Sequence, residues 1–310
     1  MDILSYTANG IIPVFLVIFV GMALQKAGFF SCVTKDEIIK LVFWVGTPCL
    51  IFENVSSSDL YAVFDFKFII FTVSLIVCLL FLQIFLCFWI KDPYKKGAVI
   101  QIGFRSNFAI IGMPIAINLL SDTGVSLTAV TLSFVIITYN ISAVVLLSCY
   151  GTTKKSFKSI FTGISKNPLI IGTVTGLIFA LFKIPVAPVF GKTISIIGDI
   201  ATSMGLIIIG ASISLKGFTS NKACILFSVF LRNFLSPFLF ILIGAFAGYR
   251  DYHLMILAII SASPAAVNCF VMAKNMGVDS DISAYGVSLT SIISLVSVFV
   301  SVYIIKILGL

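Results

Sequence analysis

The 310-residue sequence holds one histidine, His253, and only 12 acidic residues, and charged residues of both signs make up 10% of it. A single histidine cannot build a histidine-rich metal centre, and scattered serines without a partnering base supply no nucleophile for an intramembrane enzyme. Long polar stretches are scarce as well. The longest runs from Gly151 to Asn167, which leaves no room for a sizeable soluble domain. The seven cysteines (Cys32, Cys49, Cys78, Cys87, Cys149, Cys224 and Cys269) fall mostly inside apolar runs and form no CxxC pair. Neither a disulfide framework nor a zinc site is expected, and no cofactor is called for.

What is present is apolar. Hydrophobic residues make up 60% of the chain and the mean hydropathy is +1.18, beyond the range of ordinary soluble domains. An all-α integral membrane protein surrounded by lipid follows. The net charge of +8 does not point to nucleic acid, because the lysines are spread through short connections and form no continuous basic stripe. The first ten residues contain no Lys or Arg, so the apolar run after them lacks the charged start of a cleavable signal and is expected to be the first span.

Cutting at charged and turn-forming clusters gives ten candidate spans, at about 11–30, 37–56, 68–90, 97–120, 125–149, 167–183, 191–214, 222–247, 253–274 and 282–308. The stretch 151–166 is a short linker between a first half, 1–150, and a second, 167–310. Five spans per half is an odd number, so two similar halves must enter the membrane in opposite senses, the inverted-repeat arrangement of many secondary transporters. Alternate connections carry 12 Lys residues on one side against five Lys or Arg on the other. The richer side is expected to be cytoplasmic, which places both termini outside the cell membrane.

Two spans break the apolar pattern at matching places. The fourth, GAVIQIGFRSNFAIIGMPIAINLL, has Pro114 near its middle and Gly112 just before it, and the ninth, HLMILAIISASPAAVNCFVMAK, has Pro264 at its centre after Ser263. A proline removes one backbone donor and crowds the carbonyl four residues earlier, at Ile110 in the fourth span, where a kink or unwinding is expected. One mid-span proline would merely kink a helix; two at matching positions point to a paired break lining a cavity. Half-helix N-termini at such a break favour an anion. Asn107 and Asn268 flank the breaks with amides that can donate to a carboxylate or bond between helices.

NFAIIGMP (Asn107 to Pro114), SPAAVNCFVMAKNMGVDSDISA (Ser263 to Ala284) and TPCLIFENVSSSDLY (Thr47 to Tyr61) resemble segments of the auxin efflux carrier family, which includes plant PIN-type carriers and bacterial transporters of organic acids such as malate and malonate. The resemblance covers nearly the whole chain. It implies ten spans in two inverted five-helix repeats, with the fourth and ninth helices broken and crossing at the prolines beside a small organic-anion site. It also implies elevator-type movement of spans 3, 4, 5, 8, 9 and 10 against a scaffold of spans 1, 2, 6 and 7, usually in a homodimer. The long cytosolic loop of many plant relatives is missing here. Asn268 and Cys269 stand where plant carriers tend to carry an apolar residue and proline, which fits a smaller, more polar acid than an indole acid.

Ionisable residues within spans are functional candidates because their burial is costly. Arg105 can steer a carboxylate toward the break or snorkel to the interface. Arg232 and Asp199 can form a buried ion pair. Glu53 can relay protons or be solvated. Lys274 can be a positive-inside signal, and the resemblance adds a gate or substrate contact for it. Span 5 has no adjacent acidic pair and neither proline has a neighbouring glutamate, which weakens a sodium-coupled alternative. A membrane-embedded ligand sensor of the same fold is the alternative from another class. Gly172, Gly176 and Gly205 allow close packing within a chain or between two.

Overall fold

The computed structural model describes residues 3–57, 64–152, 168–213 and 221–309. All of the expected linker except Gly151 and Thr152 lies outside the described residues, as do Lys154, Lys155, Lys158, Lys166 and Lys216. Every regular element among the described residues is helical. In chain order they are α1 Ile3–Lys26, α2 Cys32–Leu41, α3 Thr47–Ser56, α4 Phe66–Leu86, α5 Pro93–Phe104, α6 Met113–Leu119 and α7 Asp122–Tyr150. Then follow α8 Pro168–Leu181, α9 Pro188–Ser212, α10 Lys222–Phe230, α11 Ser236–Phe246, α12 Asp251–Ala262, α13 Asn268–Met276 and α14 Ser280–Ile307.

Seven helices among the described residues are long and apolar enough to cross a membrane. Two of the remaining apolar runs are divided, the fourth between α5 and α6 and the ninth between α12 and α13, while the sixth forms the 14-residue α8. Helix starts follow local chemistry. Asp65, Asp92 and Asp279 accept from the backbone N–H groups of Phe68, Tyr94 and Ile282, each at 2.9 Å, which satisfies donors that have no partner inside the helix. Helix α13 stops at Gly277, whose φ of +72° and tight approach to Thr152 suit only glycine.

Prolines explain a second recurring feature. The π-helical turns Val42–Gly46, Phe108–Gly112 and Leu231–Leu235 each lead into a helix with proline in its first turn, Pro48, Pro114 and Pro237. A proline cannot bond the carbonyl four residues back, so the helix widens by one residue instead of breaking. Side chains take up the slack. The hydroxyl before the proline donates to the carbonyl five residues back, Thr47 to Val42 at 2.8 Å and Ser236 to Leu231 at 2.6 Å. The Asn233 carbonyl, which Pro237 leaves without its helical donor, accepts from Ser297 Oγ at 2.5 Å.

The helices sort into two packing groups. α1, α2, α3, α8 and α9 pack mainly on one another, and α4 to α7 with α10 to α14 form the second group; the groups meet where α1 lies against α6 and α14, α3 and α8 against α7, and α9 against the turn Phe108–Gly112. Gly172 packs on the backbone of Pro48, Gly176 on Val55 and Gly205 on Ile110, so these three small residues serve contacts within the chain.

Candidate functional site: two broken helices beside a cavity

The first break lies at Arg105–Asn107, seven residues or more before Pro114, and corrects the sequence expectation: Pro114 widens a continuous helix, whereas the extended backbone is carried by Arg105 at φ −89°, ψ 106°. The second break does surround its proline. Ser263 has left helical geometry, with ψ of 146°, because Pro264 crowds the α conformation of the residue before it. The two breaks pair. Asn107 N–H donates to the Pro264 carbonyl at 2.7 Å and Ala266 N–H to the Arg105 carbonyl at 3.1 Å, and Ser106 faces Ala265 in an antiparallel bridge. Ala265 N–H donates to Thr290 Oγ1 on α14 at 3.2 Å. Backbone groups freed in the buried interior thus find partners within the protein, as an apolar surrounding demands.

On one side of this pairing sits Arg232, 1% exposed. Its guanidinium donates to the Phe104 carbonyl at 2.9 Å and Gly103 at 3.3 Å, at the end of α5, and to Ile260 at 3.0 Å and Ser261, at the end of α12. The expected ion pair with Asp199 does not form: Asp199 is exposed on α9, and backbone carbonyls take its place. A helix C-terminus carries roughly half a negative charge, so two of them about match one guanidinium.

On the other side lies a cavity of about 460 Å³, within the usual range for small-molecule sites. It is lined by Arg105, Ser106, Asn107, Tyr139, Asn140 and Asn268 among others, walled by Phe43, Trp44, Val135 and Ile209, and reaches Asp36, Lys40 and Ser212, at α2 and the end of α9. Arg105, 6% exposed, donates to Asn140 Oδ1 at 2.8 Å and to Met272 Sδ at 2.7 Å. Both acceptors are neutral. Among the described residues neither Arg105 nor Arg232 has a carboxylate within 4 Å, and with Arg232 matched by helix ends, the uncompensated charge at the break is that of Arg105. The Asn107 side-chain Nδ2 is buried without a partner, as is Ser106 Oγ, an arrangement that costs free energy unless something binds there.

The sequence-derived candidates therefore separate. Asn107, Asn268 and Arg105 line the cavity. Gly112, Pro114, Ser263 and Pro264 are buried beside it and shape the backbone: Gly112 packs against the Phe108 ring, and Ser263 Oγ bonds the Ile259 carbonyl at 2.6 Å. Glu53 lies in a second cavity of about 550 Å³ with Lys183, and Lys274 is exposed in the last turn of α13. Sequence reasoning missed Tyr139 and Asn140. The signal was there, since an amide within the apolar run 125–149 is as unusual as Asn107.

A family model described as Membrane transport protein matches residues 7–159 and 152–302. The chain is also similar to the uncharacterized transporter YfdV of Escherichia coli K12, of Escherichia coli O157:H7 and of Shigella flexneri, each 20% identical over 283 residues, covering 89% of this chain and 90% of the relative. Matched along almost its full length by that model, and carrying the motifs noted above, the chain belongs to the auxin efflux carrier-like family of membrane transport proteins.

Proposed function

We propose that this transporter is a secondary carrier of small organic anions, carboxylates such as malate, malonate or auxin-like acids, that works by alternating access of an elevator type. The observation that carries the reading is Arg105: a guanidinium buried in the membrane, bonded only to neutral side chains and facing a cavity. A carboxylate there gains a charge-assisted, geometrically specific partner. Asn107 and Asn268 add amide donors, and the aromatic and aliphatic wall receives the carbon skeleton.

In this reading the ten apolar runs are ten crossings in two inverted repeats, α5–α6 and α12–α13 are the crossing helices, and the group of α1, α2, α3, α8 and α9 is the scaffold of a homodimer. The cavity reaches the side that bears most of the lysines, which the positive-inside rule makes cytoplasmic, so the state is inward-facing and both termini are extracellular. Proton coupling or the membrane potential supplies the drive. A sodium-coupled symporter is less well supported, since Asp36 is the one carboxylate among the described residues that line the cavity. Uptake of radiolabelled mono- and dicarboxylates and an indole acid into proteoliposomes, under an imposed pH gradient or potential, tests the proposal. Saturable, gradient-sensitive uptake is expected; binding without flux would instead identify a sensor.

A further inference from the structure

The α5 and α12 helices end against each other inside the membrane, and the four carbonyls at those ends, of Gly103, Phe104, Ile260 and Ser261, converge on one guanidinium. Convergent helix C-termini in a low-dielectric setting form a cation site, with oxygen ligands and negative partial charge of about one unit in total. Arg232 comes from a third element, the π-helical turn Leu231–Leu235, and reaches this place from the side. Its position is reinforced by Pro237, which widens the helix there, and by Asn233 and Ser297, which tie the turn to α14 through the Asn233 carbonyl and to Thr290 through Asn233 Nδ2 at 3.3 Å. The Tyr139 hydroxyl, on the cavity wall, lies beside Arg232 as well.

We infer that Arg232 is a built-in counter-ion: it fills with a covalently attached cation the place between the two helix ends that a mobile cation would otherwise occupy, and so fixes the crossing without an exchangeable ion. This inference deepens the transport reading by naming what holds the anion site in position, and it rests on that reading only for its effect on uptake. Arg232 acts through the backbone and is a positioning residue. Two consequences follow. Ions added to the native chain find that place already taken, and removal of the side chain opens a site that a small monovalent cation can enter, best of all one with the shape of guanidinium.

The test uses the full chain in detergent and in proteoliposomes, comparing native protein with Arg232→Ala, Arg232→Met and Arg232→Lys. Arg232→Ala is expected to melt lower by about 10 °C, to regain most of that loss in low-millimolar methylguanidinium and part of it in sodium, and to gain nothing from urea at the same concentration. Native protein should be insensitive to all three. Arg232→Lys, which keeps the charge but not the fork, should fall between. If Arg232→Ala yields no folded protein, the same additives during extraction of Arg232→Met serve, because rescue by cations alone is again expected. The inference is overturned if Arg232→Met is as stable as the native chain, if no cation rescues either neutral variant, or if sodium stabilises the native protein in a saturable manner. Should native proteoliposomes take up no carboxylate at all, the transport reading fails, while the melting experiment still decides the role of Arg232.

Discussion

Two guanidiniums stand on opposite sides of the same pair of broken helices, and the contrast between their surroundings separates architecture from recognition. Arg232 is held by four backbone carbonyls and does not line the cavity. Arg105 meets an amide oxygen and a thioether and lines the cavity. A buried cation is tolerated where helix ends neutralise it. Where they do not, it is a place for an anion. Buried polar atoms without a partner occur on both sides, Asn107 Nδ2 and Ser106 Oγ on one and Arg232 Nε and Asn233 Oδ1 on the other, but of these four residues Asn107 and Ser106 line the cavity and Arg232 and Asn233 do not.

If that contrast is right, changes on the cavity side alter uptake with little effect on stability, and changes on the Arg232 side do the reverse. The largest effect is expected from Arg105→Gln, which keeps an amide for Asn140 but removes the charge. Uptake efficiency should fall about 100-fold, the worth of a charge-assisted contact of roughly 3 kcal/mol, with the melting temperature nearly unchanged. Asn107→Ala removes an unpartnered donor and leaves its backbone bond to Pro264 in place, so uptake should drop by about 10-fold or more in a folded protein; near-normal transport would remove Asn107 from the site.

Asn268→Ala is expected to act more weakly. Asn268 is half-buried at the start of α13, where water can replace a lost contact, and a rise in KM of about three-fold without a change in kcat would fit uniform binding. Smallest in transport terms is Thr290→Val, which leaves the Ala265 N–H without its acceptor. It should cost about 1 kcal/mol of stability, read from thermal or chemical denaturation in detergent, and leave KM as it was. A shift in KM with Thr290→Val, or a large stability loss with Arg105→Gln, would erase the division between the two sides.

Much of this was legible in the residues because membrane burial makes exceptions conspicuous. Pro264 marked the second break directly, since the residue before a proline leaves the α region. Pro114 marked the first only approximately. The actual break at Arg105–Asn107 has no proline and is kept open by pairing with Pro264 and Ala266, a long-range contact that no local pattern encodes. The paired asparagines were found because an amide in an apolar run needs a partner. The partner of Arg232 was not, because backbone carbonyls leave no trace in side-chain identity; an acid on a nearby span, Asp199, looked like the natural match until the fold placed it on an exposed face. Asn140 shows the opposite case, a visible signal whose meaning depended on a turn of α7 that brings it to Arg105.

The measurement that bears most directly on the central claim is carboxylate uptake into proteoliposomes by the native chain and by Arg105→Gln, side by side and matched for folded protein by melting temperature. Saturable uptake by the native chain, lost about 100-fold in the variant, is the expected result. Equal uptake by the two proteins would contradict an anion site built on Arg105.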